Sequence, residues 1–217
     1  MPISLSASKS FFKTSSLGEN ELRFDERVKP DFEDAHFLNK YLVAQEIGRV
    51  AYLRAPIYYY RKRDDGTSTL DSAWSSAEKY SAVFEFGKID LLKYAFEKRG
   101  RVPFYIQKTV LYDLQWYFKR LVGHEERTHR FGAMGFEGVF WSSLDEVFKW
   151  IDTSTIEKIP GGWFNFETKY ACLDRFKGSK PIVSTIYLER VDEDSGVMLI
   201  RSSDLDYSLS VNGGVIA

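Results

Sequence analysis

Two adjacent carboxylates, Glu33 and Asp34, follow Phe32 and precede an apolar stripe of Phe37, Leu38, Tyr41 and Leu42 at steps of one and four residues. That spacing predicts a helix running toward Gly48 with the acidic pair at or just before its amino terminus. Backbone N–H groups and the helix dipole favour ionised carboxyls there, which suits a general base better than a general acid. The same dipeptide also reads as a solvated helix cap. His36 sits two residues on. Three other groupings offer weaker chemistry. Asp192-Glu193-Asp194 has the Asp-x-Asp form that holds a divalent metal, but it falls in a hairpin turn, and Asp204 and Asp206 occupy a comparable setting. His124 and His129 are five residues apart, which does not place two zinc ligands on one helix face. There is no Gly-rich phosphate loop, no Gly-x-Ser-x-Gly elbow and no Cys/His nucleophile arrangement.

The elements that must position these groups are legible in the periodicity. Ile3, Leu5 and Ala7 alternate with polar residues and read as a strand over Met1–Thr14. Val50–Arg54 and Ile57–Arg61 read as short strands around Pro56, followed by the polar loop Asp64–Thr69. Ser75-x-x-Glu78 has capping-box spacing and opens one long helix or two, through Tyr80, Val83, Phe84, Leu91, Leu92 and Ala95 to Gly100, with Gly87 as a weak point. Pro103 starts another, carrying Val110, Leu111, Leu114, Tyr117, Phe118 and Leu121. Ser143-x-x-Glu146 opens a further short helix, and Pro160-Gly161-Gly162 breaks it. From Pro181 the period drops to two, giving strands Ile182–Arg190, Val197–Arg201 and Tyr207–Val211, with Val215-Ile216-Ala217 as the start of a fourth.

Apolar residues make up 44% of the 217 and charged residues 28%, so the chain has the means to bury a core. Thirty Lys+Arg against thirty-one Asp+Glu leave a net charge of -1, which supplies no field for a polyanion, and nucleic acid is not expected as a partner. The local cluster Arg61-Lys62-Arg63 could meet one phosphate or an anionic membrane surface. The lone Cys172 excludes an internal disulfide and a Cys-rich zinc site. No apolar run is long enough to span a bilayer and no signal peptide is evident, so the cytoplasm is the expected compartment.

Several strings together resemble a family: Ser8-Lys9-Ser10-Phe11-Phe12, Arg23-Phe24-Asp25-Glu26-Arg27-Val28-Lys29-Pro30, Phe32-Glu33-Asp34-Ala35-His36-Phe37, and Tyr58-Tyr59-Tyr60-Arg61-Lys62-Arg63 with Gly66-Thr67-Ser68-Thr69. Their order and spacing look like bacterial family-2 inverting glycosyltransferases of the teichoic-acid and capsule type, which are often fused to a CDP-glycerol glycerophosphotransferase. The likeness runs from about Ser4 to Arg130 and is most specific in its first half. It implies an α/β fold (α+β in this fragment): the C-terminal, acceptor-side part of a GT-A fold over residues 1–71, a helical extension over 72–160, and a small, truncated antiparallel β domain over 161–217.

By that resemblance Asp34 is the general base that takes the acceptor proton, with Glu33 as its partner or alternative. Arg61, Arg63 and Ser68 fall near the departing nucleoside diphosphate, where guanidinium groups stabilise developing charge, and His36 lines the acceptor site. The implied partners are a nucleotide sugar and a glycan or polyol-phosphate acceptor, a missing amino-terminal half or fused glycerophosphotransferase domain, and peripheral contact with the inner face of the plasma membrane. The complete enzyme would use a divalent metal, Mn or Mg. The nucleotide-binding half with its Asp-x-Asp motif would lie before Met1, so no cofactor is expected on this chain alone and its isolated activity is doubtful. The alternative is a non-catalytic interaction or polymer-binding module derived from such an enzyme.

Overall fold

The computed structural model describes residues 5–45, 50, 51, 53, 57, 59, 73–122, 124–179, 187–192, 196–201, 209–211 and 214–216. By internal contacts the chain divides into Met1–Thr155 and Ile156–Ala217.

The first unit is helical. A 3-10 turn, Ala7–Lys9, precedes α1 (Thr14–Glu19), and α2 spans Glu33–Ala44. A second 3-10 turn, Ala77–Lys79, leads to a π-helical segment, Val83–Ile89, that runs directly into α3 (Asp90–Arg99). Then come α4 (Phe104–Leu121), α5 (Glu125–Ala133), α6 (Glu137–Lys149) and α7 (Thr153–Lys158), which runs across the boundary into the second unit.

Helix α4 buries Ile106, Val110, Leu111, Leu114 and Tyr117, the three- and four-residue stripe that drives an amphipathic helix onto a core. Its partners are rings: Tyr117 stacks on Phe140 at 5.7 Å and meets Phe84 edge-on at 5.3 Å, and Tyr80 contacts Phe131 and Phe136. Offset and edge-to-face pairs of this kind add to the burial of apolar area. Helix α3 ends where Gly100 turns left-handed (φ 67°) and its N–H reaches the Phe96 carbonyl at 2.7 Å, the conformation that glycine adopts without steric cost.

In the second unit, α8 (Phe166–Lys177) opens on Asn165, whose side-chain oxygen accepts the Thr168 N–H at 3.0 Å, and closes on left-handed Gly178. Phe164, Cys172 and Leu173 are buried there, and burial pushes the Cys172 thiol up to about 12. Strands β1 (Tyr187–Asp192) and β2 (Val197–Arg201) pair antiparallel, as do β3 (Leu209–Val211) and β4 (Gly214–Ile216).

These elements overturn the α/β expectation. No described residue before 187 lies in a strand, and the four strands form two separate two-stranded ribbons, so neither a GT-A sheet nor a β domain is built from the described residues. Two-stranded ribbons bury too little to form a domain by themselves. Within the expected strand Met1–Thr14, the described residues 5–14 form a 3-10 turn and the start of α1, with Phe12 packed edge-on against Phe37 and Tyr41 of α2. Strand candidates Val50–Arg54 and Ile57–Arg61 lie largely outside the described residues, and their described positions 50, 51, 53, 57 and 59 belong to no strand. The two capping-box spacings also behave differently from the expectation. The Ser76 hydroxyl, one residue on from Ser75, bonds Glu78 across a 3-10 turn, and α6 begins at Glu137, well before Ser143, so that Phe140 reaches the aromatic core.

Candidate active site

The acidic pair occupies the first two positions of α2. Residues 25–32 deliver it there through a turn tied down at several points. Asp25 accepts Arg27 Nε at 2.9 Å, Arg27 Nη2 at 2.7 Å and the Arg27 backbone N–H at 3.0 Å. The Arg27 side-chain hydrogen bonds hold the Asp25 carboxyl down at about 2. The guanidinium lies 4.3 Å from the Phe86 ring centroid. The Lys29–Pro30 peptide is cis, and Phe32 takes left-handed backbone angles (φ 75°, ψ -6°) as the N-cap residue, with no side-chain cap. Phe32 supplies instead the carbonyl that receives the His36 N–H at 2.8 Å.

The side chains beneath the turn are charged and buried. Asp31 pairs with Lys79, whose side chain is 3% exposed and whose ammonium lies over the Trp74 and Tyr117 rings at 4.4 and 4.8 Å. Lys88, fully buried, reaches Asp113 at 2.9 Å. Tyr117 donates its hydroxyl to the Lys79 carbonyl at 3.0 Å and is itself 3.5 Å from the Lys88 ammonium. Desolvation lowers Lys88 from the ordinary lysine range, with Asp113 opposing that shift.

Glu33 is exposed and Asp34 half-buried. Desolvation of the Glu33 carboxyl raises it above the ordinary glutamate value, and the charges of Asp34 and Asp31 add to that, against a lowering backbone hydrogen bond. At Glu33 desolvation, with Asp34 and Asp31 adding to it, thus opposes the helix-start preference for an ionised carboxylate. His36 lies under α2, 1% exposed, with Nε2 2.6 Å from Asp90 Oδ2, and Lys40 reaches the same oxygen at 2.5 Å. Burial pushes Asp90 up, but hydrogen bonds from His36 and Lys40 override it and leave the carboxyl lowered. A bond to this carboxylate puts hydrogen on Nε2, and Nδ1 is buried with no hydrogen-bond partner among the described residues.

The structure thus pairs Asp31, two residues before Glu33, with Lys79, sets the Lys88 ammonium on the Phe32 ring that precedes the pair, and joins His36 to Asp90. Arg61, Arg63 and Ser68 lie outside the described residues, as do Glu193, Asp194, Asp204 and Asp206. Sequence reasoning missed Lys79, Lys88, Asp90 and Asp113. A signal existed for Lys88, which falls on the apolar stripe of Phe84, Leu91, Leu92 and Ala95, where a lysine is anomalous. For a divalent metal the described residues are a poor fit. Among them no group of three or more His, Cys, Asp or Glu is placed to hold an ion, and Asp31, the carboxyl nearest in sequence to the pair, is engaged by Lys79.

The chain is similar to proteins of teichoic acid biosynthesis. It is 26% identical over 156 residues to the minor teichoic acid biosynthesis protein GgaA of Bacillus subtilis (strain 168), a match covering 68% of this chain and 32% of GgaA. It is 30% identical over 109 residues to the minor teichoic acid biosynthesis protein GgaB of the same organism, covering 49% of this chain and 11% of GgaB. The chain therefore spans less than a third of the length of these curated relatives. No family model matches the chain. No solved structure matches it either.

Proposed function

We propose that this chain is part of a transferase that assembles a cell-surface polymer of the teichoic-acid type, and that Glu33 and Asp34 are its reactive pair. The observation that carries the reading is the acidic pair at the start of α2, set on a turn anchored by buried ion pairs, in a chain similar to two teichoic acid biosynthesis proteins.

In this reading the donor is a nucleotide sugar and the acceptor a glycan or polyol phosphate. Asp34 takes the proton from the attacking hydroxyl as the bond to the sugar forms with inversion and the nucleoside diphosphate departs. Glu33, with its raised affinity for a proton, hydrogen-bonds the acceptor. His36 acts from beneath by fixing α2 to Asp90. Arg61, Arg63 and Ser68 bind the leaving diphosphate. The work is done at the cytoplasmic face of the membrane. Among the described residues no helix is long and apolar enough to cross it.

The test is turnover of the full-length protein with Asp34→Asn. An amide keeps the size and much of the hydrogen bonding but accepts no proton, so turnover should fall by about 10²–10⁴ with donor affinity nearly unchanged. If Asp34→Asn stays active while Glu33→Gln abolishes turnover, the base is Glu33. If both variants keep near-normal turnover, the pair is only a helix cap and the assignment of Glu33 and Asp34 as the reactive pair is wrong.

A further inference from the structure

The most unusual feature of the described residues is a charge where the fold asks for an apolar side chain. Lys88 is 0% exposed. Its ammonium is enclosed by three rings, with centroids of Phe84, Phe32 and Tyr117 at 4.5, 4.7 and 5.0 Å, and by the Asp113 carboxylate at 2.9 Å. Burying such an ion pair is weak support for stability, since well-packed apolar residues of the same volume commonly serve as well or better. What the pair does hold is specific. Phe32 is the left-handed residue directly before Glu33, and its ring sits on the Lys88 ammonium. A left-handed phenylalanine is costly by itself and persists only when its surroundings over-determine it.

The surroundings do so from three directions. The π-helical segment sets Gly87 against the turn so closely that a Cβ there would lie 3.1 Å from Phe32 Cδ1 and 3.2 Å from Val28 Cγ1. Asp31, the residue before Phe32, is tied to Lys79. Lys88 closes the arrangement through a desolvated cation–π contact, the setting in which that interaction is strongest.

We infer that Lys88, held by Asp113 and capped by the Phe32 ring, is a positioning residue that fixes the left-handed turn at Phe32 and so sets the direction in which Glu33 and Asp34 project from α2. The inference rests on the reading of that pair as the reactive groups. It also predicts the consequence of removing the charge without removing the volume. The acidic pair should be displaced while the helical fold remains.

The experiment compares the chain with Lys88→Met/Asp113→Asn, which removes both charges together. Nuclear magnetic resonance reads the Phe32 HN–Hα coupling, the Glu33 and Asp34 amide signals and the Glu33 carboxyl titration, while circular dichroism and thermal melting report the fold. The expected result is an unchanged helical spectrum, loss of the positive-φ signature at Phe32, displaced amide signals for both acids, and a Glu33 titration midpoint moved by about half a pH unit or more. Phe32→Leu, which keeps an apolar side chain but removes the ring, should displace the same signals. If the signals of Phe32, Glu33 and Asp34 superimpose on those of the parent in either folded variant, the positioning role is overturned. If neither variant folds, Lys88 serves the fold itself and the inference is equally overturned. None of these readouts needs a substrate, so a failure of the proposed reaction, seen as Asp34→Asn turnover, is distinguishable from a failure of the positioning role.

Discussion

Glu33 carries a carboxyl whose ionised form is disfavoured by the fold, and the sign of that effect is testable. Desolvation first, then Asp34 and Asp31, raise its folded-state value above that of the unfolded chain. Between those two values the folded state binds more protons than the unfolded one, so stability falls as pH rises through the window. The penalty is present in full above it and absent below the unfolded value. Glu33→Gln should therefore melt higher than the parent at pH 7, and at the same temperature near pH 3. Calorimetric scans at the two pH values check this, and equal melting temperatures at pH 7 would remove the electrostatic account of the site. Such local destabilisation is common where carboxyls are gathered for chemistry. The pair itself is legible in the sequence, because a helix start is announced by neighbouring residues. The crowding by Asp31 is also local. The partner of Asp31, Lys79, is 48 positions away in the chain.

At the scale of elements, the π-helical segment Val83–Ile89 is the part most exposed to a single-atom change. Replacing Gly87 by alanine improves helix propensity by up to about 1 kcal/mol, but its Cβ would press on the Phe32 ring and on Val28, both within 3.2 Å. Overpacking of this kind costs about 1–3 kcal/mol, so the net effect should be a loss of about 1 kcal/mol and a melting point several degrees lower. An alanine variant that melts above the parent would show that the turn yields freely and is not anchored there. Apolar periodicity marks Gly87 as a weak point within a long helix, and the stripe from Val110 to Leu121 coincides with α4. It does not reveal the π geometry. A shift from i→i+4 to i→i+5 hydrogen bonding leaves the apolar spacing nearly unchanged over one or two turns. Capping-box spacing misplaces the start of α6 for a related reason, since a Ser-x-x-Glu string can occur inside a helix whose boundary is set by the burial of Phe140.

For the whole molecule, the relevant facts are a near-neutral chain, two units, and relatives of which it spans less than a third. Tight recognition of a nucleotide sugar through its diphosphate needs a metal held by several carboxylates or a convergent cationic cleft. The described residues gather no such metal ligands, and their buried lysines are already matched by Asp31 and Asp113. Titration calorimetry of this chain with nucleotide sugars and manganese should accordingly show no binding at micromolar concentration. A micromolar dissociation constant would mean that the donor site is contained in this chain.

By itself the sequence determined what neighbouring residues determine: the acidic pair at a helix start, the amphipathic stripe of α4, the lone cysteine, and a likeness to proteins of teichoic acid biosynthesis. Each is a property of residues a few positions apart, where spacing and side-chain chemistry suffice. Only the tertiary structure decided that the first unit is helical with no α/β layering among its described residues, that His36 is locked to Asp90 across 54 positions, and that Lys88 lies beneath the Phe32 turn. Burial, desolvation and charge pairing depend on which distant segments come together, and the stripe that predicts a helix is the same whether its lysine faces water or three aromatic rings.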